Sequence, residues 1–391
     1  MMSDNTIDLT TILNKRFALR RLLLNEELHE TTTSIHKSLL TPEAEPHIRG
    51  IISAIATELM KEPDSILVDT YTVNERTKDW LSLIKKEVLT DYDGTIIPID
   101  TRSRPGHKIL DHYMPHFYDV QNYKGKSVRG MFTQEALEKA LITNILMHST
   151  PYKSEIRRMI TMTAGLGSVT KYRTVTSKAI IQYFKAKRVL DPCTGWGGRM
   201  LGCLSAGEDC YYVGCEPDPN TATGLRNILE DAAAIPASVR SRGKIIEHPF
   251  ESAKTQQALA GMEKFDMILT SPPYFNLELY TAGDQSTTVY PTWEEWTEHW
   301  LKPVILKCLS YLKDGGVSCW SVKNFKSDKK YPLADVTKQI HEDAGWELVK
   351  IVSMTGSARP GATAATAAAT STTRNEKRES EEETFCFKKK E

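Results

Sequence analysis

Val189-Leu190-Asp191-Pro192-Cys193-Thr194-Gly195-Trp196-Gly197-Gly198-Arg199 is the stretch that decides the fold. Its first four residues read as a short strand ending in a turn. The glycines that follow let a backbone approach a ligand, and Met200–Ala206 opens a helix whose start offers free N–H groups. Strand, glycine-rich turn and helix start together make a nucleotide-type site. A second strand, Cys210–Cys215, ends at Glu216. An acid there, roughly 20 residues past the glycine turn, is suited to accept hydrogen bonds from two ribose hydroxyls.

Further along, the apolar run Phe265–Leu269 reads as a buried strand of a parallel sheet, and Thr270-Ser271-Pro272-Pro273-Tyr274 ends it. Two prolines fix φ and remove two N–H groups, which suits a rigid loop at the carboxyl end of a strand. In open α/β sheets ligands bind at that edge. The loop offers carbonyl acceptors, a serine hydroxyl and a phenol ring. That set fits a planar molecule with an amino group, the NH2 donating to Ser271 and Tyr274 stacking on the ring. The alternative is a proline-rich turn with Tyr274 as a packing residue. The remaining strands are expected at Gly243–Glu247, Val317–Val322, Glu347–Met354 and Glu383–Lys388. Trp293, Trp296 and Trp300, on one face of a helix expected over Thr292–Leu312, read as packing against the sheet.

Upstream, residues 1–88 read as a helical accessory region, with amphipathic stretches at Asp8–Glu27, Ile48–Lys61 and Asn74–Glu87. Residues 89–170 differ. They mix aromatic and basic residues: His112, Tyr113, His116, Phe117, Tyr118 and Tyr123 lie near Arg102, Arg104, Lys124, Lys126 and Arg129. Basic groups meet phosphates and rings stack on bases, so this is the candidate nucleic-acid region. The alternative is a packed aromatic cluster under solvated charge. From Lys85 to Arg188 there are 18 Lys and Arg against 9 Asp and Glu, although the 391-residue chain has a net charge of zero. Residues 171–391 form the third region. Within it, residues 356–380 are low-complexity and expected to be a disordered loop.

At 40% hydrophobic and 26% charged residues, most of the chain can bury a core. No apolar run approaches the ~18–20 residues that span a bilayer, and the first residues lack a signal peptide's order. An intracellular location without a membrane partner is therefore expected. The seven cysteines are odd in number and contain no CxxC, so they read as buried small hydrophobes, with no metal expected.

Taken together, LDPCTGWGGR, Glu216 and TSPPYFNLELY resemble the S-adenosyl-L-methionine-dependent DNA amino-methyltransferases, which make N4-methylcytosine or N6-methyladenine. The resemblance covers Lys171–Lys390 and is specific in the two motifs. It implies a Rossmann-like class I methyltransferase fold, α/β, with a seven-stranded, mostly parallel sheet of order 3-2-1-4-5-7-6 and strand seven antiparallel. It also implies that Asp191, Pro192, Thr194, Gly195, Gly197, Glu216 and Pro217 hold the cofactor. Tyr172–Thr176, with Tyr172 and Thr174, would cover its methionine end, and His248–Glu251, with Phe250, would flank its adenine. Ser271, Pro272, Pro273 and Tyr274 would hold the target base. Such a base cannot be reached inside a duplex, so it must be flipped out or already unpaired. DNA is the expected partner. An RNA or protein-amide methyltransferase of the same fold, and a non-catalytic nucleic-acid-binding relative, are the alternatives. Oligomeric state and recognition sequence are not legible.

Overall fold

The computed structural model describes residues 9–14, 45–88, 94–100, 103–147, 150–166, 169–231, 235–236, 242–280, 285–355 and 382–391. The loop expected at 356–380 lies outside them, as do most of Asp8–Glu27 and the candidate Arg102. The chain divides into two units: Met1–Asp69 with Pro115–Val169, and Thr70–Met114 with Thr170–Glu391.

The second unit holds an eight-stranded sheet. In chain order its strands are β1 (Ile96–Asp100), β2 (Arg188–Asp191), β3 (Tyr211–Cys215), β4 (Gly243–Ile246), β5 (Phe265–Thr270), β6 (Leu312–Val322), β7 (Trp346–Thr355) and β8 (Glu383–Lys389). Their spatial order is β1-β7-β8-β6-β5-β2-β3-β4. Strand β8 runs antiparallel to both β7 and β6, and the other pairs are parallel. Counted from β2, this is the 3-2-1-4-5-7-6 order with an antiparallel seventh strand.

There is one strand more than expected. Ile96–Asp100 pairs in parallel with Ile351–Thr355 and closes the sheet at its far edge. Its sequence carries Pro98, which cannot donate to a ladder. Among the described residues β1 is an edge strand, the place in a sheet to which proline is confined.

Near-continuous burial explains the parallel core. Every residue of β5 except Asp266 is buried, and β2 and β3 each expose only their first residue in part. A strand covered on both faces needs this, and alternation would leave polar side chains in the core. Asp266 is the useful exception: its carboxylate accepts from the backbone N–H groups of Lys187 and Arg188 at 2.7 Å each and fixes the start of β2. Strand β6 begins before the expected Val317, taking in Lys313–Gly316, with a register irregularity against β5 and Gly315 at φ +74°.

The tryptophan helix starts at a capping box between Thr292 and Glu295. It carries a π-helical stretch at Thr297–Leu301 just before Pro303. Trp296 and Trp300 are buried and stack with ring centroids 4.9 Å apart. Such an aromatic pair adds about 0.5–1.5 kcal/mol beyond its burial.

The first unit has its own core. Ile52, Ile55 and Leu59 of helix Glu45–Lys61 meet Leu137 and Leu141 of Gln134–Leu146, and Ile156, Met159 and Ile160 of Lys153–Thr163. Its buried Arg157 reaches Asp69 and the Ile66 carbonyl at 2.7 Å each. No described helix is long and apolar enough to cross a membrane. All seven cysteines are free, and six are buried.

Candidate active site

Asp191, at the end of β2, organises the glycine turn. Its carboxylate accepts from Cys193 N–H at 3.1 Å, from Arg199 Nε at 2.7 Å and from Tyr212 Oη at 2.7 Å. Arg199 also donates to the carbonyls of Cys193 and Thr194. Its guanidinium lies 5.1 Å from the centre of the Tyr172 ring. The pair is fully enclosed, with Asp191 at 0% and Arg199 at 4% exposure. Asp191 therefore shapes the turn from behind.

The turn itself is split by direction. Gly195 has φ +56°, and an added Cβ there would meet nothing within 4 Å. Gly197, at φ +82°, faces the protein: an added Cβ would sit 2.7 Å from Leu225 Cδ2. One glycine opens onto free space and the other allows close packing. Thr194 N–H donates to the Cys215 carbonyl at 2.9 Å, which ties the turn to the end of β3.

Glu216 lies where β3 ends. Its carboxylate accepts from Gly195 N–H at 2.9 Å and Asp218 N–H at 3.0 Å. Burial outweighs these two bonds and, with Asp218 and Asp191 nearby, pushes its pKa up to about 7. Pro217 is exposed beside it, and Pro192 is buried.

Tyr172 and Thr174 serve the fold. Tyr172 Oη bonds to Ser321 Oγ at 3.0 Å and Thr384 Oγ1 at 3.2 Å, and burial raises its pKa to about 12. Thr174 Oγ1 donates to the Pro105 carbonyl at 2.5 Å. Phe250 is buried, edge-on to Tyr311.

The second loop leaves β5. Leu190 of β2 pairs with Ile268 of β5 in parallel, so the two loops emerge side by side at the carboxyl edge of the sheet. Strands this close are about 4.8 Å apart. Ser271 and Pro273 are half-buried, and Pro272 is buried. Tyr274 is 7% exposed, its ring edge-on to Phe325 at 5.4 Å. Its hydroxyl makes no hydrogen bond among the described residues, and burial pushes its pKa well above the ordinary tyrosine value. Phe275 then takes φ +42°, unusual for a non-glycine residue. Rings of Trp293, Trp296 and Tyr331 hold it there, at 5.4 to 5.7 Å.

Four residues beside this loop, Glu278, Tyr280, Lys323 and Glu382, were not singled out from the sequence. Ser271 Oγ points at Glu382 Oε1, 3.5 Å away. Glu278 accepts from Tyr280 Oη. Burial raises the pKa of both carboxyls above the ordinary glutamate range, and Lys323 partly offsets this. Glu382 follows a low-complexity stretch in a run of acids, and such a run reads as solvated charge.

The basic candidates fall in both units. Arg104 belongs to the sheet unit and is exposed; Lys124 and Lys126 belong to the other and are exposed too. Arg129 is half-buried and pairs with Asp64 at 2.6 Å and with Asp119, so its charge is already answered. Among the described residues no group of three or more His, Cys, Asp or Glu is placed to hold a metal ion.

No family model matches the chain, and no curated protein matches it. Solved structures do. A putative O-methyltransferase from Klebsiella pneumoniae is 15% identical, over 59% of this chain and 86% of that one, with a TM-score of 0.35. A putative rRNA-methylase from Clostridium thermocellum is 10% identical, over 57% of this chain and 99% of that one, at 0.34. An O-methyltransferase from Bacillus cereus in complex with SAH is 13% identical, over 59% and 88%, at 0.34. Likeness at this level says nothing of this chain's substrate; the fold stands on the strand order given above.

Proposed function

We propose that the chain transfers a methyl group from S-adenosyl-L-methionine to the exocyclic amine of a DNA base, N4 of cytosine or N6 of adenine. One observation carries this: a glycine turn opening onto free space and a serine-led proline loop leave adjacent parallel strands at the same edge. The cofactor fits the residues present. Gly195 leaves room, Glu216 supplies the carboxylate for ribose hydroxyls, and Thr194 and Pro217 flank them. Asp191 and Gly197 hold the turn in shape, and the Tyr172 ring packs against Arg199. When bound, S-adenosyl-L-methionine supplies an electrophilic methyl on sulfur.

An exocyclic amine is a poor nucleophile because its lone pair is delocalised into the ring. Hydrogen bonds from the NH2 to Ser271 and to the Pro272 carbonyl localise that pair and aim it. Much of the catalysis is then alignment and fixed dipoles. Tyr274, packed on Phe325, offers only a sliver of surface for stacking. Incubation with methyl-labelled cofactor and DNA, RNA or protein tests the reading: label is expected in DNA, and label only in RNA or protein overturns it.

Two further outcomes follow. Glu216 accepts best as a carboxylate, so cofactor affinity should tighten as pH rises from 6 to 8, by up to about tenfold per unit below its pKa of about 7. Calorimetry should find that slope, and Glu216→Gln should flatten it while weakening binding roughly ten- to hundredfold. For stability the sign is opposite. The folded-state pKa is raised, so this ionisation removes stability as pH climbs from the unfolded value to about 7.

If Lys124 and Lys126 meet phosphates, replacing each with Ala should reduce the slope of log affinity against log salt by about 0.9 for each phosphate no longer neutralised. Arg129→Ala should change stability and leave the slope alone, because its charge is already paired. DNA titrations at several salt concentrations check both. An unaltered slope in the lysine variants would place the phosphate path elsewhere.

A further inference from the structure

We propose that Glu382 is the terminal proton acceptor of this site and acts on the target amine through the Ser271 hydroxyl. This rests on the methyl transfer proposed above. A serine that accepts an N–H bond still carries its own hydrogen, and that hydrogen needs somewhere to go. Topology supplies the place. Strand β8 is antiparallel, so it starts at the edge where the parallel strands end, with Glu383 opposite Val322 and Thr384 opposite Ser321. Strand β6 in turn sets Trp320 beside Thr270. Glu382, one residue before β8, therefore arrives next to Ser271, with Oε1 at 3.5 Å from Oγ. The gap is longer than an ordinary O–H···O bond, and catalytic contacts of this kind tighten when substrate binds.

The step balances. The amine lone pair forms the bond to the methyl carbon as the carbon–sulfur bond breaks, its electrons staying on sulfur. The nitrogen then carries one hydrogen too many. That proton passes to Ser271 Oγ as the hydroxyl's own hydrogen passes to Glu382 Oε1. Serine ends unchanged and the carboxylate ends protonated. Serine cannot keep the proton itself; the half-buried Glu382 carboxylate can. Among the described residues, five titratable groups face Glu382. Lys323 and Arg199 favour its charged form, and its field in turn raises Glu278, Tyr274 and Tyr172. Burial dominates and holds its pKa above the ordinary range, which suits an acceptor that must take a proton near neutral pH. Glu278 is the rival carboxylate, but its described partner is Tyr280, not Ser271.

The test has two arms, on full-length protein. In the first, infrared difference spectra follow carboxyl protonation against pH in the absence of substrate. Among the carboxyl bands that persist above the ordinary glutamate range, to which Glu216 and Glu278 also contribute, one should vanish in Glu382→Gln and shift in Ser271→Ala. In the second, the single-turnover rate is followed against pH. Glu382→Gln should lose ~10²-fold and its acidic limb, with S-adenosyl-L-methionine affinity unchanged. The double variant Ser271→Ala/Glu382→Gln should be no slower than the worse single, because the two groups act as a unit. A full set of raised bands left unchanged by both substitutions, or an acidic limb retained in Glu382→Gln, overturns the proposal. If Glu382→Gln does not fold, the band shift in Ser271→Ala decides. If the parent protein methylates no DNA, the function proposed above fails by itself, and the spectroscopic arm still decides whether Ser271 and Glu382 are coupled.

Discussion

Ser271→Ala should lower turnover by ~10²-fold or more while S-adenosyl-L-methionine affinity holds. The substitution removes one hydroxyl from a half-buried position. If that hydroxyl only shaped the turn, little rate would be lost, since Pro272 and Pro273 fix the loop without it. Stability should fall by no more than about 1 kcal/mol, because its described side-chain contact is the long one to Glu382. A large rate loss beside a small stability loss is therefore the mark of a hydrogen bond made to the reacting amine. Single-turnover rates and thermal unfolding, measured on the same preparation, separate the two. A variant that keeps its rate would reduce Ser271 to a turn residue.

The largest effect on stability should come from Arg199→Met. Its guanidinium and the Asp191 carboxylate are enclosed together, and removing one partner strands the other charge. Breaking such a pair costs about 3–5 kcal/mol. For a unit of this size that lowers Tm by roughly 6–20 °C. Tyr212 and the Cys193 N–H would remain on Asp191, but two neutral donors do not replace a cation. Asp191→Asn in the Arg199→Met background should restore most of the stability, since no charge is then left unpaired. If the single variant unfolds at the parental temperature, the pair contributes nothing to the fold.

Much of this architecture is legible in the chain because its signals are local. Strand, glycine turn, helix and terminal acid follow one another within a short stretch, so β2, β3 and the candidate site at Gly195 and Glu216 can be read directly. The edge strand β1 could not be. Ile96–Asp100 looks like an apolar run spoiled by Pro98, and its partner β7 lies far along the chain. Glycine direction was also hidden: Gly195 and Gly197 look alike in the motif, and only packing shows that one faces open space and the other Leu225. Thr174 and Tyr172 have the chemistry of ligand-holding side chains, yet their hydroxyls are engaged by Pro105, Ser321 and Thr384. Glu382 is the sharpest case. Its meaning comes from the antiparallel turn of β8, which brings a residue from the end of the chain to the loop after β5.

Nucleoside mass spectrometry of DNA incubated with the protein and methyl-labelled S-adenosyl-L-methionine tests the central claim most directly, because it reports base and atom together. The label should appear in N4-methylcytosine or N6-methyladenine, and should be lost with Ser271→Ala. Label on a ring carbon, or DNA left unlabelled while RNA or protein takes up the methyl group, would contradict it.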